Sequence, residues 1–561
     1  MIRRGITALA LAASLASAFV VASAARAESP ADWLYAPTTF TEINLTLPPA
    51  SVATLEAEPE DHYVPGSFSL AETDGTPGTA GSFSTPIEVG IRLKGSSGSF
   101  RTLGEKAAFK IKFDEFVDGQ TFYGLEKMTL NNMVQDPSMV HEVTAYEAFR
   151  ALGVPAPRTG YTYVRVNGES FGLHLDVESL DKIALEKQLG PFLSPPQHLY
   201  EGESGADVTP AKSGLLEVDE GKKKEKGDLA ALVNAVAATT PGFSERVEGL
   251  ADLEEMTRMW AVEKYVGHWD GYSGFTIPGG ELPNNYYLYS DATGAFQMLP
   301  WGTDQTWADH LPFEGDGGVL FDECKAETGA GGCQELYRAA LGQALADLVD
   351  LDPDRISGCA SEALRPWQQY EQAQSKPARL VFSQDEIEDG VWATHEFILK
   401  RPAELATFLG TSVPATPLDR PCPPLRRAVF RAQAGAVQQP STPATSPARV
   451  VLGRVDGHRR LLTARVAVSG PGEVEVRGMI GKAGDGVRAL NAVTGCKGGK
   501  EAAGAGVVTL ACRYTRSMRR QLAAGSLRVE LGIGFSTQGG VDFDRRAVKL
   551  PAQPPAAHRQ P

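Results

Sequence analysis

Asp270, Asn285 and Asp304 fall within 35 positions of one another in an aromatic-rich run, WAVEKYVGHWDGYSG…PNNYYLYSDATGAFQMLPWGTD. Carboxylate, amide, carboxylate is the donor order that magnesium-dependent phosphoryl transfer uses. One carboxylate orients the attacking hydroxyl, while an amide and a second carboxylate hold the cation that neutralises the phosphates. Asp270 follows Gly-His-Trp at the exit of an expected helix, a place from which a carboxylate can accept a substrate proton. Asn285 opens a strand, with Asn284 beside it as the alternative. Asp304 closes a strand at a loop, a common position for a magnesium ligand. His268 reads either as a group orienting Asp270 or as a core histidine. Asp and Asn are also ordinary turn formers, so turn chemistry is the competing reading of all three.

Cationic residues that could meet phosphates lie upstream. In Lys94-Gly95-Ser96-Ser97-Gly98-Ser99 a strand runs into a loop whose glycines permit close backbone approach and whose N–H groups can cradle phosphate oxygens. Alone, such a Gly/Ser stretch reads as a turn. Lys110 and Lys112 alternate with Phe109, Ile111 and Phe113 in AAFKIKF, so they project from the face opposite the apolar one. A sheet lysine of this kind reaches phosphates in kinase sites, or else lies on a solvated edge. Glu142 and Glu147, on the next helix, are the candidates for pinning it.

The elements that must position these groups can be read from periodicity. FTEINLTL and IEVGIRLKG alternate as strands, with residues 65–86 between them as a long polar connection. A helix is expected from Pro137 to Leu152, N-capped by Asp136 and closed by Gly153. YTYVRVNGESFGLHLDVES reads as a hairpin turning at Asn167-Gly168. Residues 203–230, with Lys222-Lys223-Lys224, read as a mobile polar insertion. Residues 250–267 form a helix leading to Asp270, and residues 324–409 are mostly helical.

Composition sets the wider frame. Arg3 and Arg4, an apolar stretch from Ile6 to Val21 and Ala25-Arg26-Ala27 predict a signal peptide over residues 1–27, hence an exported, periplasmic or extracellular protein. No later segment has the apolar length of a membrane helix. The remaining length exceeds a single hydrophobic core, so two or more domains are expected. Residues 28–425 carry 29 Lys/Arg against 61 Asp/Glu, whereas residues 426–561 carry 22 against 8. That reversal predicts a boundary near 425, a Pro/Ser/Thr-rich linker over 426–448 and a β-sandwich-like domain over 449–561. The basic domain suits an acidic surface or polymer, or simply a separately solvated surface; nucleic acid is not indicated, because no aromatic–basic pattern accompanies the charge. Six cysteines, all from Cys324 onward, favour disulfides: Cys324–Cys333, Cys496–Cys512 and, by remainder, Cys359–Cys422. No CxxC or CxxH spacing supports a metal site instead.

IRLKGSSGSF, AAFKIKF, GLEKMTLNNMVQDPSMVHEVTAYEAFRALGVP, YVRVNGESFGLHLDVESLD and NNYYLY…GAFQMLPWGTD, in that order across residues 85–310, resemble the spore-coat CotH kinase family. The resemblance implies an α+β, atypical protein-kinase-like two-lobed domain over 28–425. It also implies, in active members, phosphorylation of secreted or surface proteins with ATP and Mg²⁺, Mn²⁺ being the alternative ion. It places Lys94, Gly95, Ser96 and Ser97 in a phosphate-facing loop, with Lys110 on the phosphates and Lys112 close behind it as a candidate. Glu178 falls at the connection between lobes, near ribose or base. Asp270 becomes the base or substrate orienter, and Asn285 and Asp304 the metal ligands. One departure stands out: the family generally has a further aspartate inside the PW motif, where this chain has Gly302. That departure leaves room for a non-catalytic surface or matrix protein that keeps the fold. A secreted hydrolase using Asp270 and Asp304 as acid and base ranks last.

Overall fold

The computed structural model describes residues 30–415, interrupted at 36–39, 61, 74, 96–97, 190–196, 275–282 and 292, together with Cys422 and strand backbones between 450 and 550. The expected signal peptide and linker, Ser96 and Ser97 lie outside the described residues.

The α+β class holds. The N-terminal part is a closed seven-stranded barrel of β1 (Phe40–Thr46), β2 (Val64–Glu72), β3 (Ile87–Lys94), β4 (Ala108–Lys112), β5 (Lys127–Asn131), β6 (Thr159–Val166) and β7 (Glu169–Val177). Its order is β1-β2-β3-β4-β5-β7-β6, and β6 closes the ring by pairing parallel to β1. Alternation fills the interior: Ile43, Phe68, Ile91, Phe109, Ile111, Phe113 and Leu130 are all buried in one apolar core. The β6–β7 turn is where the sequence placed it, with Asn167 and Gly168 at φ +51° and +80°.

Two expectations are corrected here. The first third of the 65–86 connection is strand β2, whose Pro65 and Gly66 obscure the alternation, and α1 (Pro49–Ala57) precedes it. Helix α2 begins at His141 rather than Pro137. Its N-cap is Val140 rather than Asp136; Asp136 lies in the turn before it, where Met139 takes φ +61° and the Asp136 carboxylate accepts the His141 N–H at 2.8 Å.

Beyond the barrel, α2 (His141–Ala151), α4 (Gly227–Ala237), α5 (Phe243–Arg246), α6 (Leu253–Val266), α7 (Val319–Ala326), α8 (Cys333–Leu351), α9 (Pro353–Gln374) and α10 (Gln384–Leu409) share a second core, while α3 (Lys182–Leu189) packs through Leu185 in a smaller cluster with Leu199, Tyr287 and Leu299. They surround a four-stranded sheet ordered β11-β10-β8-β9: β8 (His198–Gly202), β9 (Leu216–Glu220), β10 (Tyr286–Ser290) and β11 (Phe296–Pro300). The 203–230 segment is therefore built into the fold rather than mobile. It supplies β9 and part of α4, and its Asp207 accepts N–H bonds from Val208 and Val319 and the Tyr272 hydroxyl.

Cys324–Cys333 and Cys359–Cys422 pair as expected; Cys512 is also disulfide-bonded, while the Cys496 side chain lies outside the described residues. The tail is one seven-stranded antiparallel sheet, β12 (Val450–Gly457), β13 (Leu461–Val468), β14 (Gly472–Ile480), β15 (Val493–Ala502), β16 (Gly506–Tyr514), β17 (Leu527–Thr537) and β18 (Gly540–Leu550), rather than two stacked sheets. Among the described residues no helix is long and apolar enough to cross a membrane.

One buried ion pair fastens the barrel to the helices. Lys106, entering β4, meets Glu371 of α9 at 2.7 Å, with both side chains at least 95% buried. Gly172 leaves room for it, since a Cβ there would come 1.9 Å from the Glu371 carboxylate. Removing one partner strands a buried charge, so Lys106→Met is expected to cost about 3–5 kcal/mol of unfolding free energy. The double variant Lys106→Met/Glu371→Gln is expected to recover most of that loss. Denaturant titration of the three proteins checks both statements.

Candidate functional site

The site is assembled where α6, the β10–β11 hairpin, α2 and the barrel strands β3 and β4 meet. Helix α6 ends at Gly267, whose left-handed backbone (φ +71°) lies against the Asp309 carbonyl. The next turn is organised by Glu263, a buried α6 residue that the sequence reading missed. Its carboxylate accepts the Tyr272 and Ser273 N–H groups at 2.9 and 2.8 Å and lies 3.6 Å from His268 Nδ1. No composition signal marks Glu263; its role follows from burial on the face of α6 that meets the Asp270 loop. His268 is fully buried, and its Nε2 lies 3.2 Å from the Gly302 carbonyl. It orients the loop from inside the core, which unites the two readings of it.

Asp270 is held by amides. Asn285 Nδ2 donates to Asp270 Oδ2 at 2.7 Å and to its backbone carbonyl at 3.1 Å, while Asn284 Nδ2 donates to Oδ1 at 3.2 Å. Asn285 itself takes φ +49°, which asparagine tolerates better than most residues. Its Oδ1 is turned toward Gly302, where a Cβ would come within 2.5 Å of it. Gly302 also has φ +52°. Any side chain at that position would need the space this amide fills.

Asp304, two residues on, sits in a 3-10 turn over Thr303–Gln305. His141 Nδ1 donates to its backbone carbonyl at 2.9 Å, and His141 Nε2 meets Thr394 of α10 at 2.8 Å. Its carboxylate shares a desolvated space with Glu142, and the Lys94 ammonium acts on both. Burial, and next the Asp304 charge, push Glu142 up to about 8. Burial pushes Asp304 up to about 6 against the lowering effect of Lys94. Asn131 Nδ2 donates to the Glu142 carboxylate. Glu142 therefore meets Asn131 rather than the Lys110 it was a candidate to pin, and Glu147, the other candidate, pairs with Arg150 at 2.8 Å.

The loop after β3 folds back on the segment after β5. Asn132 Nδ2 donates to the Ser99 and Lys106 carbonyls at 3.0 and 2.9 Å, and a Cβ at Gly95 (φ +130°) would meet the Phe100 backbone at 2.8 Å. On the strands below, Arg92 and Lys110 stand directly opposite each other in the β3–β4 ladder. Burial lowers the Lys110 pKa, opposed by the charge of Glu201, with Asp219 adding to that opposition and Lys94 nearby. Lys112 is taken up elsewhere, 2.7 Å from Glu115 at the barrel rim. Glu178 is buried and grips Arg158 through both carboxylate oxygens, with Gln188 at 3.2 Å. It fastens the end of β7 to the segment before β6.

The structure therefore brings Asp270 and Asn285 into contact and sets Asp304 with Glu142 and Lys94; Gly302 links the two sets. Lys110 lies on the same cationic face, whereas Lys112 and Glu178 are engaged by other partners. Among the described residues no three His, Cys, Asp or Glu side chains stand together as a metal cage. The donors are nonetheless hard oxygens, two carboxylates and the Asn285 Oδ1, which suit Mg²⁺ better than a soft metal.

Residues 91–335, which contain this whole site, match the family described as CotH kinase protein. The chain is 26% identical over 208 residues to the inner spore coat protein H of Bacillus subtilis (strain 168), covering 34% of this chain and 53% of that protein. It is 30% identical over 79 residues to the inner spore coat protein H-like protein of the same organism, covering 14% of this chain and 24% of that protein. The chain thus spans about half the length of the first relative and a quarter of the second. Residues 91–335 of this chain, which hold most of the barrel and the helices around Asp270, are thus similar to the CotH kinase family.

Proposed function

We propose that this chain is an exported kinase that transfers the γ-phosphoryl group of ATP to a serine or threonine hydroxyl of an envelope or extracellular protein, or of the chain itself. The observation that carries the reading is the pairing of Asp304 and Glu142 opposite Lys94, beside an Asp270 carboxylate held by two amides. In the reaction the hydroxyl oxygen bonds to the γ-phosphorus as the bond to the ADP oxygen breaks, and the hydroxyl proton passes to Asp270. Asn285 and Asn284 fix that carboxylate in direction, so its orientation is settled before substrate arrives. Lys94 and Lys110 would balance phosphate charge, and the barrel and the helix-rich part would serve as the two lobes around the nucleotide. Asp304 and the Asn285 oxygen would hold Mg²⁺ or Mn²⁺, which supplies charge neutralisation at the phosphates.

A second reading has its own observation. Gly302 stands where the family generally has an aspartate, and the Asn285 amide occupies that space while donating to Asp270. A chain that binds nucleotide but transfers poorly, acting as a surface or matrix protein, would have this arrangement. The name of the B. subtilis relative places that protein in the inner spore coat; a surface location for this chain is part of the proposal.

Incubation with radiolabelled ATP and Mg²⁺ or Mn²⁺ separates the readings. For the kinase, label enters protein with the wild type, and Asp270→Ala lowers the rate by about 10²–10⁴-fold, the worth of a positioned general base. Nucleotide-induced thermal stabilisation without label in any protein favours the binding reading. In either case Asp304→Ala is expected to abolish the stabilisation by Mg²⁺ and ATP.

Glu142 adds a pH dependence. An acid whose pKa is raised on folding favours the folded state below its unfolded pKa, and that advantage is lost as pH rises through the folded value. The metal-free protein should therefore lose stability from about pH 4.5 to about pH 8 through this group. Glu142→Gln should flatten that slope, as read from melting temperatures in EDTA across the range.

A further inference from the structure

A turn over residues 203–208, between β8 and β9, touches both segments whose meeting forms the Asp270 site. Its Gly205 N–H donates at 2.9 Å to the carbonyl of Pro283, two residues before Asn285. Its Ala206 carbonyl accepts at 2.9 Å the hydroxyl of Tyr286, the residue after Asn285. Its Asp207 carboxylate accepts at 2.9 Å the hydroxyl of Tyr272, two residues after Asp270. Ala206 and Val208 are fully buried and Asp207 nearly so, which packs the turn into the helix-rich core.

Tyr272 carries the contact toward the site. Its ring stacks on Trp260 of α6 and meets Tyr286 edge-on, with centroids 6.3 and 4.7 Å apart. Its hydroxyl donates to Asp207 and accepts the Leu320 N–H of α7 at 3.0 Å. A Cβ at Gly318 would lie 2.3 Å from the ring, so a glycine there lets the start of α7 close on it. Glu263 holds the Tyr272 backbone N–H from the α6 side. Asp207 also accepts the Val319 N–H at 3.0 Å, so capping α7 is its ordinary structural duty. Capping needs only that N–H bond. The Tyr272 hydroxyl, the Pro283 carbonyl and the Tyr286 hydroxyl are additional partners of the turn, and each belongs to a segment that carries Asp270 or Asn285.

We infer that Asp207 is a positioning residue for Asp270: through the Tyr272 hydroxyl it fixes the Asp270 loop where Asn285 can bond the carboxylate. Its role in transfer rests on the proposed reading of Asp270 as the group that receives the hydroxyl proton. Because the same turn holds Pro283 and Tyr286, neither side of the Asp270–Asn285 contact can shift without disturbing it.

Two substitutions in the full chain test this. Tyr272→Phe keeps the ring contacts and removes the hydroxyl, while Asp207→Asn keeps the side-chain shape with one acceptor oxygen fewer. With ATP and Mg²⁺ each is expected to lower kcat about 10–100-fold, the scale of a displacement near 1 Å, while KM for ATP stays at the wild-type value. The double variant should be no slower than the slower single one, since both act along one path. Unchanged kcat with a lowered melting temperature would leave Asp207 a cap of α7 alone and overturn the inference, as would losses that multiply. Crystals of Tyr272→Phe give a readout without turnover. The distance from Asn285 Nδ2 to Asp270 Oδ2, 2.7 Å in the wild type, should stretch beyond hydrogen-bond range. Should the wild type transfer no label, the kinase reading has failed, and the crystals judge the positioning of Asp270 by themselves. A stretched contact then upholds it, and an unchanged one overturns it.

Discussion

Two carboxylates and one ammonium in a desolvated space set the terms for the rest of the site. Glu142 and Asp304 repel each other, burial disfavours ionising either, and Lys94 relieves only part of that cost. Such an arrangement persists only because surrounding elements over-determine it. Asn131 bonds Glu142 from the end of β5, His141 bonds the Asp304 backbone from the start of α2, and Thr394 bonds His141 from α10. The barrel, the helix after it and the last helix of the domain thus converge on one short turn. Under the proposed kinase reading, this excess of buried negative charge would be relieved by a divalent cation.

Gly302 tunes this arrangement. Its left-handed backbone and missing side chain let Asn285 approach closely, and Asn285 then locks the Asp270 carboxylate. An aspartate in its place would add a third carboxylate and push the amide away.

Much of this was legible in the chain. The Asn167-Gly168 turn, the alternation of AAFKIKF and the helix into Gly267 each have a local cause, and each stands where its residues placed it. Asp270 and Asn285, which the structure brings into contact, and Asp304 each sit in a short motif of the chain. His141 was not legible, because its role depends on Asp304 and Thr394, which are distant in sequence, and Glu263 was not, because its partners are backbone N–H groups that no side-chain pattern marks. The β2 strand was obscured by Pro65 and Gly66, and the ordering of 203–230 by its charge, since its anchors are Asp207 bonds to Tyr272 and Val319 rather than apolar periodicity. Glu178 was misdirecting: a carboxylate between lobes suits a ribose, yet here it faces Arg158.

The most direct test of a cation site at this turn is anomalous scattering from crystals grown with Mn²⁺ and a non-hydrolysable ATP analogue. The account predicts a manganese peak in coordination distance of the Asp304 carboxylate and the Asn285 side-chain oxygen, with the triphosphate directed at Lys94. A nucleotide bound without metal at Asp304, or manganese found only elsewhere on the protein, would contradict it.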